Sequence, residues 1–135
     1  MVDLHPQLRQ DTIEIETLGL SRLRLMNDAR FPWLILVPDR PDATELHALS
    51  AADQMILMSE VTRCAKVLEG LHGPDKINIG ALGNLVPQLH VHVIARFETD
   101  AAWPGPVWGF EKPQPYFTSV LDHTVTSLRN LLKNG

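Results

Sequence analysis

The chain has 135 residues, 44% of them hydrophobic, which is enough apolar mass for one packed domain and too little length for two. Twelve Lys and Arg against 16 Asp and Glu leave a formal net charge of -4, with no block of like charge, which argues against gripping a nucleic-acid backbone through a basic face. The one cysteine, Cys64, excludes an intramolecular disulfide, and no stretch approaches the roughly 18 apolar residues of a bilayer span.

MVDLHPQLRQDT lacks a basic region followed by an apolar one, so the expected setting is the reducing cytoplasm, with no membrane contact. After this short polar segment, Thr12–Leu18 alternates Ile13 and Ile15 with Glu14 and Glu16, the period of a half-buried strand. Gly19 marks a turn, and Leu20–Asn27 reads as the second strand of a hairpin. Trp33–Pro38 (WLILVP) is a short continuous apolar run, the pattern of a central strand covered on both faces. A connector leads to Ser50, which with Asp53 resembles a capping box and starts a helix. Its buried side should carry Leu57, Val61, Cys64 and Leu68, and Gly70 to Pro74 should stop it.

Lys76–Leu82 and Leu89–Phe97 read as two further strands, separated by a turn containing Gly83 and Asn84. AAWPGPVWGFEKPQP keeps Trp103, Val107, Trp108 and Phe110 and reads as an ordered loop. Tyr116 to Lys133 reads as a closing helix. The expectation is a single α+β domain over residues 1–135, with its core in about 12–98, built on a largely antiparallel sheet.

The chemistry lies in QLHVHVIAR, residues 88–96. On a strand, residues two apart share a face, so Gln88, His90 and His92 project together while Leu89, Val91 and Val93 bury the other side. A neutral imidazole nitrogen is a nucleophile near neutral pH, and a second imidazole one strand-step away can hold phosphate oxygens or pass a proton. Taken alone, the pair also suits exposed residues without a role, or two ligands of a zinc ion whose third ligand no histidine or cysteine spacing supplies.

QLHVHVI resembles the histidine triad motif, His-φ-His-φ-His-φ-φ with φ hydrophobic, with Gln88 at the first histidine position as in a bacterial branch of that family. LRLMNDARFPWLILVPDRP is similar to the family's strand, nucleotide-contacting turn and central strand. KINIGALGNLVP is similar to its phosphate-contacting loop. The three segments occur in the family's order over about residues 12–98.

The resemblance implies a five-stranded, mostly antiparallel sheet carrying helices, and a homodimer. It implies a nucleotide hydrolase or transferase like those acting on diadenosine polyphosphates or nucleoside phosphoramidates, in which His90 attacks the α-phosphorus and carries the nucleotide covalently. His92 would stabilise the phosphate oxygens, Gln88 would hold the phosphate or leaving group, and Asn27 and Asp28 would hold the ribose. Asn78, Gly83 and Asn84 are the matching phosphate-loop candidates. No metal or other cofactor is required, although Mg²⁺ can accompany a polyphosphate substrate. A nucleotide-binding regulator of the same fold, without turnover, is the alternative that Gln88 keeps open. Arg30 suits either phosphate or solvent, Arg96 is expected as an end-of-strand surface charge, and His47 and His123 as structural or exposed.

Overall fold

The computed structural model describes residues 1–133. Five strands form one sheet: β1 (Thr12–Thr17), β2 (Ser21–Met26), β3 (Trp33–Pro38), β4 (Lys76–Gly80) and β5 (Val91–Arg96), in the spatial order β1-β2-β3-β5-β4. Every neighbouring pair is antiparallel. The described residues also form three α-helices, α1 (Pro6–Asp11), α2 (Ala51–His72) and α3 (Thr118–Lys133), and a 3-10 turn at Leu46–Ala48.

All six residues of β3 and all six of β5 are buried, and alternation distributes them between two apolar clusters. Leu34 and Leu36 join Leu23, Leu25, Val91, Val93 and Ala95 beneath α2 and α3. Trp33, Ile35, Val37 and Ile94 join Leu4, Leu8, Phe31 and Val107 on the opposite face. The first cluster was legible in the helical spacing of Leu57, Val61, Cys64 and Leu68, all buried in α2. The second was not, because its cover comes from the N-terminal segment and from the loop after β5.

Several boundaries differ from the sequence reading for local reasons. The N-terminal segment contains α1, which Pro6 opens at its first turn and His5 caps, its Nδ1 accepting from the Gln7 N–H. Leu4 and Leu8, four residues apart, anchor this segment in the second cluster. β5 begins at Val91 rather than Leu89, because the Leu89 N–H leaves the ladder and donates to the Ala43 carbonyl at 2.9 Å. β4 stops at Gly80 and α3 starts at Thr118, each two residues inside the expected span. α2 runs past Gly70 to Gly73, whose φ of 56° provides the left-handed C-cap. Ser50 caps the other end, its Oγ accepting from the Asp53 N–H at 3.1 Å.

Arg96 corrects an expectation. Instead of a surface charge it is 1% exposed, because alternation puts it on the face of Ile94 that the loop after β5 covers. Its guanidinium is satisfied by the Asp100 carboxylate at 2.8 and 3.1 Å, by Asn78 Oδ1 at 2.8 Å and by the Gly105 carbonyl at 2.8 Å. Phe31 and Trp103 flank it with their rings. These bonds fold residues 97–105 back onto the sheet.

Replacing Arg96 by Ala leaves the buried Asp100 carboxylate without its cation and should cost about 3–5 kcal/mol. Equilibrium urea unfolding measures the loss, and a change below about 1 kcal/mol, the range of an exposed pair, would contradict this account.

Candidate active site

β5 and the residues before it carry both histidines of the motif. His90 precedes the ladder and is 7% exposed. Its Nδ1 lies 2.7 Å from the Gln88 carbonyl oxygen. A carbonyl only accepts, so Nδ1 carries the hydrogen and Nε2 is left with an unshared pair. Burial pushes the His90 pKa down, against an opposing contribution from the Gln88 hydrogen bond, and the nearby His5 adds to the lowering. Neutral imidazole is therefore the form this environment favours.

His92 is held in the complementary tautomer. Trp33 Nε1–H donates to His92 Nδ1 at 3.0 Å, so the ring's own hydrogen sits on Nε2. Its ring centroid is 5.7 Å from that of Trp33, 5.3 Å from that of Trp108 and 4.9 Å from that of His90. Burial, and secondarily the neighbouring His90, push its pKa down to about 3. At neutral pH His92 is therefore uncharged, with a hydrogen on Nε2 available to donate. Gly80 makes this packing possible: it is the cross-strand partner of His92, and a Cβ there would meet Trp108 Cη2 at 3.0 Å.

His90 borders a cleft of about 190 Å³ lined also by Thr44, His47, Gly83 and Leu89. Of the phosphate-loop candidates, Gly83 reaches this cleft, with φ at 76°, and Asn84 follows it on an exposed turn. Asn78 does not turn to the cleft; its Oδ1 accepts from Arg96 Nη1. Gln88 also turns elsewhere. Its Oε1 accepts from the His5 N–H at 2.7 Å and its Nε2 donates to the Asp3 carbonyl at 3.0 Å, so the amide staples the N-terminal segment.

Asn27 and Asp28 border a separate cleft of about 290 Å³ with Gln10, Arg30 and Phe110, and Trp33 links this cleft to His92. Asn27 Oδ1 accepts from the Tyr116 N–H at 3.0 Å. The Asp28 carboxylate is 1% exposed and binds Arg30 through Nε at 2.9 Å and Nη2 at 2.8 Å. Burial raises its pKa, but hydrogen bonds from the Arg30 side chain and from the Arg30 and Gln114 backbones outweigh that and leave it lowered. Arg30 is thereby committed to Asp28, with Phe31 and Phe110 against its guanidinium.

His47 is exposed, as the sequence reading expected, and borders the His90 cleft, whereas that reading did not single out Trp33 or His5. Nothing local marks His47, since its approach to His90 depends on where the connector lies. Trp33 had a usable signal: it shares its face with Ile35, the cross-strand partner of His92. Among the described residues, no three His, Cys, Asp or Glu side chains come together in a way that could hold a metal ion.

His92 also gives the fold a pH dependence whose sign follows from its lowered pKa. The unfolded chain binds a proton there near pH 6.5, the folded chain only near pH 3, so the contribution is complete above about 6.5 and is lost as pH falls toward 3. His92→Phe should flatten the acid side of the unfolding midpoint against pH, and an unchanged slope would contradict the buried neutral ring.

The sequence matches the HIT domain model over residues 7–99. A histidine triad protein from Sinorhizobium meliloti is 50% identical, with 98% of this chain and 96% of that chain covered and a TM-score of 0.90. One from Bradyrhizobium japonicum is 48% identical, with coverage of 95% and 96% and a TM-score of 0.92. One from Marinobacter aquaeolei is 40% identical, with coverage of 99% and 98% and a TM-score of 0.96. No curated protein matches. With the domain match spanning most of the chain and these structures superposing along nearly all of it, the chain belongs to the HIT domain family.

Proposed function

We propose that this protein is a nucleotidyl hydrolase or transferase in which His90 is the nucleophile. The observation that carries the reading is the 2.7 Å contact between His90 Nδ1 and the Gln88 carbonyl, which leaves Nε2 free beside a cleft. The Nε2 lone pair attacks the α-phosphorus of a nucleotide ester, anhydride or amide. The bond to the leaving group breaks with its electron pair, and a His90 nucleotidyl intermediate forms. Water then attacks phosphorus, the P–N bond breaks, and the ring returns to its neutral form as the water proton is released.

His92 donates from Nε2 to a non-bridging phosphate oxygen throughout, and needs no change of charge to do so. The backbone of the loop at Gly83 and Asn84 approaches the same phosphate, Pro87 having no N–H to give. The ribose lies at the cleft of Asn27 and Asp28. Because the Asp28 carboxylate is engaged by Arg30, the side-chain amide of Asn27 is the better placed of the two for its hydroxyls. A polyphosphate substrate brings its own Mg²⁺.

The reading extends to a homodimer. β4 is an edge strand of the sheet, and Ile79, Leu82, Met55 and Met58 are exposed around it and on α2. An edge with free backbone groups and apolar side chains is suited to pairing with a second copy. Sedimentation at micromolar concentration should give the mass of two chains, and Ile79→Lys should shift it to one; a single-chain mass for the unaltered protein would dismiss the dimer.

Turnover of a panel of diadenosine polyphosphates and adenosine phosphoramidates tests the activity. Intact-mass analysis of the quenched reaction should show one nucleotidyl group per chain, located on His90. His90→Ala should lower turnover by roughly a thousandfold or more while binding of AMP persists. The acid limb of the pH profile should lie below 6.5, since the attacking ring must be neutral and its pKa is lowered. Nucleotide binding with no adduct and no turnover on any substrate of the panel would replace the enzyme by a binding protein.

A further inference from the structure

A third cleft lies against the site. It has a volume of about 580 Å³, and His5, Gln88 and Thr44 are among its lining residues. Thr44 also lines the His90 cleft, so the two adjoin.

Gln88 stands at the position where an imidazole is replaced by an amide, and that amide is wholly spent on the N-terminal segment. Its oxygen accepts from the His5 N–H and its nitrogen donates to the Asp3 carbonyl, at 2.7 and 3.0 Å. The polar group at position 88 therefore meets the backbone that presents His5. His5 itself is half-buried. Its Nδ1 accepts from the Gln7 N–H at 3.0 Å as the cap of α1, so its ring hydrogen sits on Nε2, the nitrogen turned away from the helix. Leu4 and Leu8, buried in the second cluster on either side of it, fix the segment that carries the ring. Gln88 links the two imidazoles: its side-chain oxygen accepts from the His5 N–H and its carbonyl accepts from His90 Nδ1.

We infer that His5 is the leaving-group contact of this site, an imidazole delivered from the N-terminal segment and held there by Gln88 in place of one carried at position 88. The inference rests on His90 being the nucleophile. In the first step the His90 Nε2 lone pair forms the P–N bond while the phosphorus bond to the leaving group breaks and its electrons go to the leaving oxygen. His5 Nε2–H donates a hydrogen bond to that oxygen as negative charge grows on it, and keeps its own proton. The contact is worth most for a leaving group that departs with a full charge and little internal stabilisation, and least for one already activated.

The test compares two AMP esters on the full-length protein: one with a p-nitrophenyl leaving group, whose charge is delocalised, and one with an unactivated alkyl alcohol. His5→Asn removes the imidazole but retains a good helix cap, and its thermal midpoint should match that of the unaltered protein. It should slow the alkyl ester by about 10- to 100-fold, the effect of losing one donor to a developing oxyanion, and change the p-nitrophenyl ester by less than about threefold. Gln88→Ala, which loosens the segment and keeps the ring, should shift the same ratio in the same direction by a smaller factor. Equal slowing of both esters by His5→Asn, or no slowing of either, overturns the inference while adduct formation on His90 persists. Absence of any His90 adduct in the unaltered protein instead overturns the nucleophile reading, and this inference with it.

Discussion

Burial of the sheet's second face is the constraint on which the other features depend. β3 and β5 contribute alternate residues to both clusters, so polar groups on β5 and its approach are taken out of water on the side away from α2 and α3. Leaving such a group unpaired costs about 1–3 kcal/mol, and more when it is charged. Each one here has a partner: Arg96 finds Asp100, Asn78 and Gly105, His92 finds Trp33, and His90 finds the Gln88 carbonyl. The arrangement of the two histidines is one outcome of the same requirement that satisfies the buried arginine.

The two histidines differ through that requirement. Both are buried, and desolvation lowers both pKa values, but their hydrogen bonds are opposite in sense. A carbonyl makes His90 Nδ1 a donor, whereas an indole N–H makes His92 Nδ1 an acceptor. The result is one ring with a bare Nε2 and one with a protonated Nε2, about 4.9 Å apart between centroids and both neutral. One ring thus offers a lone pair and the other a hydrogen while both are uncharged. The tautomer of each ring is thus set by the hydrogen bond that its Nδ1 makes.

The cover of this face is drawn from the two chain segments that flank the sheet in sequence. Residues 97–110 return over it through Arg96 and Asp100, bringing Trp108 onto Gly80 and His92. The N-terminal segment returns through Leu4, Leu8 and the Gln88 amide. Both are tied by hydrogen bonds to positions two or four residues from the motif histidines. The site's walls are thus fastened to the strand that carries its chemistry.

Strand identity, the buried stripe of α2 and the shared side of His90 and His92 were readable from the sequence because each rests on a local pattern: a continuous apolar run for WLILVP, a period of two for HVHVI, and 3.6 for Leu57, Val61, Cys64 and Leu68. The likeness of three ordered segments to histidine triad proteins added the sheet and the family. The partner of each polar side chain was not readable, since Gln88 meets Asp3 and His5 more than 80 residues away and Trp33 meets His92 across 59. Arg96 looks like a surface charge until the loop that covers it is placed, and Asn27 and Asp28 look like turn residues until Gln114 and Tyr116 arrive. Composition and spacing decide which residues lie on a face; only the tertiary fold decides what that face meets, and hence which nitrogen of each ring holds its hydrogen.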